Sequence, residues 1–97
     1  MIIVWGSMTA KANQLDALLK ISLEHVHRSR NELGCVSHSV QIDAENTNRI
    51  VFYEEWMDMN ALQTHFKVSE SRLFVKDAKV LSEADGFDMK MYEATLL

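Results

Sequence analysis

The hydrophobic and polar positions of the chain alternate between two periods. Ile2, Ile3 and Val4 open a β-branched run, and residues 2–9 read as a strand inside a sheet. Gly6 within it would admit a close backbone or ligand, or mark a bulge. Residues 11–32 hold no breaker and carry Leu15, Leu18, Leu19, Ser22, Val26, Ser29 and Leu33 at helical spacing. They predict a long amphipathic helix with Gly34 as its stop. The period then becomes two: Val36, His38, Val40 and Ile42 alternate with Cys35, Ser37, Ser39 and Gln41. A polar turn at 43–48 leads into a returning strand over Arg49–Trp56. Asp58 is placed to cap a helix from Met59, with Ala61, Leu62, His65 and Phe66 on one side. Ser69 or Ser71 would cap a further helix to Leu81, repeating at Leu73, Phe74, Lys76 and Val80. Asp85-Gly86 reads as a turn, and Phe87 to Tyr92 as a closing strand.

The order strand, helix, strand, strand, helix with extension, strand predicts a single domain over residues 1–97. Its class is α+β, a ferredoxin-like βαββαβ antiparallel sheet with helices on one face. The other sheet face then lacks a cover, and a second copy of the chain is the simplest supplier, so a homodimer is expected.

Composition narrows the options. The 97 residues are 47% hydrophobic and 25% charged, which suits one folded domain with a modest core. A net charge of -4, with no run of Lys or Arg, argues against nucleic acid as a partner. The apolar start is far too short to span a bilayer and has no signal-peptide features, so no membrane partner and a cytoplasmic location are expected. Cys35 is the single cysteine, which excludes an internal disulfide; it reads as a small buried residue or a reactive thiol.

The side chains able to carry chemistry gather around the segment Tyr53–Phe66. Phe52, Glu54 and Trp56 share one strand face by alternation. Trp56 could wall a flat ligand or anchor a core or dimer contact. Glu54, flanked by two aromatic residues, would have its pKa raised by burial and suit proton transfer, or it could serve a structural salt bridge. His65 lies on the apolar side of its helix and could exchange a proton near neutral pH, or be held by a hydrogen bond. His25 sits at the edge of the first helix's apolar stripe and could also face the interior. His27 projects to the opposite side, and His38 occupies the more apolar face of its strand. No histidine pair has the i, i+4 or HExxH spacing of a metal site, so no metal is predicted. The absence of a nucleotide fingerprint or Gly-x-Ser-x-Gly elbow gives no cofactor either.

Two motifs carry a family resemblance. Glu32-Leu33-Gly34-Cys35 after the long helix is similar to the Glu-Pro-Gly-Cys corner of antibiotic biosynthesis monooxygenase (ABM) domains, with Leu33 in place of proline. Tyr53-Glu54-x-Trp56 followed by Ala61-Leu62-x-x-His65-Phe66 resembles that family's strand-to-helix signature. The resemblance implies a dimeric α/β barrel in which each subunit holds a pocket between its sheet and helices. It implies a cofactor-independent oxidation of a small hydroxylated aromatic or quinol by O₂, with the protein supplying deprotonation, desolvation and orientation.

Haem-degrading relatives use an asparagine late in the first strand, a tryptophan on the second helix and a later histidine ligand. This chain has Ser7 and His65 at the first two places, and only Leu73, Phe74 and Val75 at the third. Haem is therefore not expected. On this reading His65 is the proton acceptor, His25 the second candidate and Glu54 the group that orients the histidine or the substrate. Trp56, Phe52 and Phe66 are apolar walls, and Ser7 adds a hydroxyl. Two alternatives remain: a dimeric domain that only binds a small molecule, and a relative acting on a phosphorylated signalling metabolite, for which Arg28, Arg30 and Arg72 are the available cations.

Overall fold

The computed structural model describes residues 1–97. It contains β1 (Ile2–Thr9), α1 (Leu15–Ser29), β2 (Cys35–Asp43), β3 (Asn46–Trp56), α2 (Met59–Lys67), α3 (Ser69–Leu81), a 3-10 turn (Ala84–Gly86) and β4 (Asp88–Glu93). The four strands form one sheet in the order β2-β3-β1-β4, with every pairing antiparallel. This is the ferredoxin-like α+β arrangement that the element order requires.

The register sets the faces of the sheet. Val4 pairs with Glu54, Gly6 with Phe52 and Met8 with Ile50, so these residues share the helix-covered side. Leu18 and Val26 of α1 and Ala78 of α3 pack on Met8, Ile50 and Phe52. Leu62 of α2 packs on Ile2, Val4 and Trp56 in a second apolar cluster. The opposite face has no such cover. Trp5 stands there between Tyr53 and Lys90 and remains 43% exposed. No helix is long and apolar enough to cross a membrane.

Three local expectations change. The first helix runs only from Leu15 to Ser29, because Asn13 turns the chain at φ 63 before it. Its buried stripe is Leu18, Ser22, His25, Val26 and Ser29, which puts His25 inside. Leu33 is 90% exposed, since it lies beyond the helix end where helical spacing no longer sets direction. In α3 neither Ser69 nor Ser71 caps; Val68 is the cap residue, and it has no side chain able to accept a bond. The buried positions of α3 are the small residues Ser71 and Ala78, while Leu73 and Val80 face outward.

Gly34 is the point where two corners meet. It has φ +84, and an added Cβ would stand 2.5 Å from the Ala61 Cβ. Its carbonyl also accepts the Met57 N–H at 2.8 Å, tying the approach to β2 to the start of α2. Gly34→Ala is expected to lower unfolding free energy by roughly 2–4 kcal/mol, combining left-handed strain with overpacking. Urea denaturation of the two proteins side by side measures this; an unchanged midpoint would show that the corner can open without cost.

Candidate active site

Asp58 starts α2 by accepting the Ala61 N–H at 2.8 Å, and the helix then carries His65 inward one turn later. His25 arrives from α1 and His38 from β2, and all three rings are buried. The ring centroids stand 5.2 Å apart for His25 and His65, 5.3 Å for His25 and His38, and 5.7 Å for His38 and His65.

Each ring has a different partner. His65 Nδ1 lies 2.8 Å from Glu32 Oε1. Glu32 Oε2 accepts from Arg28 at 2.7 Å, and a second Arg28 nitrogen reaches His25 Nδ1 at 2.9 Å and Ser71 Oγ at 3.0 Å. A guanidinium can only donate, so His25 Nδ1 must be the acceptor and the ring's hydrogen sits on Nε2. A carboxylate can only accept, so His65 carries its hydrogen on Nδ1 and presents a lone pair at Nε2. His38 Nε2 lies 3.3 Å from Glu54 Oε1, close enough for an ion pair but not aligned for a hydrogen bond, and its Nδ1 has no partner.

The electrostatics keep the two cavity histidines neutral. Burial, followed by the charges of His38, His65 and Arg28, pushes His25 down to about 3. Burial also lowers His65, against an opposing pull from its bond to Glu32 and that group's charge. Glu54 departs from expectation. Burial alone would raise it, but the neighbouring His38, the Trp56 N–H and the nearby His65 outweigh that effect and hold it below the ordinary carboxylate value. Glu54 is thus an ionised structural acceptor, taking the Trp56 Nε1–H at 2.9 Å. Burial, then the charges of Glu32 and Glu54, raises the Cys35 thiol, which makes it a poor nucleophile.

A cavity of about 370 Å³ opens beside His25 and His65. Phe52, Phe66, Phe74, Val4, Met8 and Met89 supply apolar lining, while Glu54, Ser71 and Arg72 add polar groups. Of the residues singled out in the sequence, His65, His25, Glu54, Phe52 and Phe66 therefore meet at one space. Trp56 does not line it. This side chain is fully buried with Ile2, Val4 and Leu62, and it touches the site through its bond to Glu54 and its ring 4.6 Å from His65. Ser7 borders the cavity, but it pairs with Val51, and alternation carries its side chain to the uncovered face.

Sequence reasoning missed the roles of Glu32, Arg28 and His38. Arg28 lies three residues after His25 on the helix and four before Glu32 in the turn beyond it, a local spacing that could have joined Arg28 and Glu32 to the site. His38 lacked any such signal, because its neighbours come from other elements. The three histidines offer nitrogens within 4.8 Å of one another, a convergence that local spacing could not reveal. As arranged, they do not form a ready metal site: the Arg28 bond leaves a hydrogen, not a lone pair, on the inner nitrogen of His25.

A half-open, largely apolar cavity on a ferredoxin-like sheet, with a carboxylate-oriented neutral histidine at its edge, has room for a small molecule and a group able to exchange a proton with it. The family model for antibiotic biosynthesis monooxygenase (ABM) matches residues 1–77, and the chain belongs to that family. A Deinococcus radiodurans structure bearing the antibiotic biosynthesis monooxygenase name superposes with a TM-score of 0.93 at 22% identity, covering 100% of this chain and 95% of that one. Rv0793 of Mycobacterium tuberculosis gives 0.90 at 16% identity, with 99% and 96% covered. These likenesses show the fold. In sequence, the chain is 29% identical over 92 residues to the uncharacterized protein sll1783 of Synechocystis sp., spanning 95% of this chain but only 62% of that protein.

Proposed function

We propose that the protein is an ABM-type oxygenase that ionises a small hydroxylated aromatic within the cavity and lets the electron-rich anion react with O₂ without a cofactor. The observation that carries this reading is the Glu32–His65 contact at 2.8 Å, beside an apolar cavity of about 370 Å³. A neutral imidazole whose Nδ1–H is held by a carboxylate presents Nε2 as a base, and the imidazolium formed is stabilised by that carboxylate. Glu32 takes the orienting role that the sequence assigned to Glu54. Phe52, Phe66 and Phe74 offer flat contacts, and their exclusion of water strengthens the electrostatic interactions of the site.

Oxygen uptake on a panel of quinols and catechols, with chelator present and no flavin or metal added, tests the activity. Uptake supports the oxygenase. Binding without uptake supports the ligand-binding alternative and ends the oxygenase assignment. Arg72 at the cavity wall is the one feature that favours a phosphorylated metabolite, and the predominantly apolar lining weighs against it.

The uncovered sheet face supports the homodimer implied by the family. Trp5, Tyr53 and Tyr92 lie on that side, and two such faces would bury one another. Trp5→Glu would place a charge at the centre of the contact. It is expected to convert the protein from dimer to monomer by analytical ultracentrifugation; a dimer of unchanged affinity would move the interface elsewhere.

A further inference from the structure

We propose that the cavity takes aromatic compounds that carry a carboxylate as well as a hydroxyl, with Arg72 and Ser71 of α3 receiving the carboxylate. This rests on the reading of the cavity as the substrate site and adds an acidic substituent to the substrate class.

Four ionisable residues line the cavity: His25, Glu54, His65 and Arg72. Burial keeps both histidines neutral. Glu54 is ionised, but the Trp56 N–H and His38 already engage its carboxylate. Arg72 differs, because its guanidinium takes part in none of the ion pairs of the structure. Its own helix does not neutralise it. The positions three and four residues away are Val68, Ser69, Val75 and Lys76, none of them acidic and one of like charge. Glu70 and Asp77, the nearest acids along α3, line a separate groove beside Arg28 instead.

Ser71 stands next to Arg72 on the cavity wall and is only 4% exposed. Its Oγ accepts from Arg28 at 3.0 Å, and no carbonyl or carboxylate of the protein takes the hydroxyl hydrogen. A hydroxyl bonded from behind by a guanidinium is polarised into a stronger donor. Leaving that donor unmatched in a buried place is costly, so a ligand oxygen that accepts from it gains binding.

The α3 wall therefore offers one unpaired cation and one buried donor. A carboxylate suits the pair: it brings a single negative charge, accepts at two oxygens and matches the planar fork of arginine. A phosphate dianion would bring a second charge that no other cation of the cavity meets and that Glu54 repels. A neutral aromatic would fill the space between Phe52, Phe66 and Phe74 but leave Arg72 and the Ser71 hydroxyl without a partner.

The test uses fluorescent probes that share a ring system, titrated into the full chain at neutral pH in oxygen-free buffer. They are 2-naphthol, 6-hydroxy-2-naphthoate and 2-naphthyl phosphate. The hydroxynaphthoate is expected to bind with a Kd about fivefold or more below that of 2-naphthol, and 2-naphthol should displace it, since both occupy one cavity. Arg72→Gln should bring the two Kd values together, and Arg72→Lys, which keeps the charge, should restore part of the difference. Arg72 is exposed, so neither change threatens the fold. Ser71→Ala should weaken the hydroxynaphthoate more than the naphthol. Equal Kd values in the parent protein would overturn the proposal, as would a preference that survives Arg72→Gln, failure of displacement, or no binding of either naphthol. Tighter binding of 2-naphthyl phosphate than of the hydroxynaphthoate would overturn it in favour of a phosphate ester. Because binding is read without oxygen, the ratio of Kd values reports on the acid subsite alone. An intact ratio without oxygen uptake on the hydroxynaphthoate in air would end the oxygenase reading and leave the subsite standing.

Discussion

Replacing His65 with alanine is expected to lower turnover by about 10²–10⁴-fold, the range associated with loss of a positioned general base. The fold should persist, because Trp56, Leu62 and Glu32 keep their other partners. Near-UV circular dichroism and sedimentation would verify this, and His65→Gln controls for the cavity that alanine leaves. A correctly folded variant with unimpaired turnover would remove His65 from the mechanism. Glu32→Gln gives a more specific signature. Glu32 holds the His65 pKa up against the lowering effect of burial, so removing its charge should let that pKa fall further. The base would then stay unprotonated to lower pH. The acid limb of the rate profile should move to lower pH, while the plateau rate drops because the ring is less basic and less well oriented. An acid limb that stays in place would mean Glu32 has no hold on the base.

The second large effect is on stability in acid. His25 titrates near its ordinary 6.5 in the unfolded chain but only at about 3 when folded. Above pH 6.5 both states are neutral and the group contributes nothing. Below it the unfolded chain takes up a proton that the folded chain refuses, so stability falls as pH drops. The slope is about 1.4 kcal/mol per pH unit for one such group, giving a loss of about 2 kcal/mol between pH 6.5 and 5. His65, also lowered, acts in the same direction. Glu54 is a depressed carboxyl, so it adds stability above its unfolded pKa that is lost as pH falls through the folded value. All three groups therefore make the protein acid-labile. Urea denaturation at pH 7 and pH 5 should show the loss, and His25→Phe, which preserves stacking on Phe74, should lose about 2 kcal/mol less over the same interval. If parent and variant lose stability equally, His25 is not the neutral buried group described here.

How the site became legible differs from residue to residue. Phe52 and Glu54 were placed on one face by strand alternation alone, and the register that pairs them with Gly6 and Val4 keeps that assignment. His65 was likewise placed by helical spacing from Leu62, both of which are buried. Trp56 shows the limit of the same rule. Alternation put it on the correct face, but which part of that face opens to a cavity depends on where α2 lands, and Leu62 covers it. Leu33 and Val80 show the converse error, in which apolar character was taken for burial although nothing packs over them.

The order of elements, the faces of the strands and the inward side of α2 were determined by the sequence itself. These depend on backbone periodicity and on which side chains can leave water, both of which are local. The convergence of His25, His38 and His65, and the meeting of the Arg28–Glu32 pair with His65 of α2, were decided only by tertiary structure. Their partners lie on α1, β2, the turn after α1 and α2, and no spacing along the chain encodes the distance between separate elements. The Glu54 carboxyl makes the same point in energetic terms. Its burial could be read from its neighbours in sequence, but the sign of its pKa shift was set chiefly by His38, which only folding brings alongside, with the Trp56 N–H two residues away adding to it.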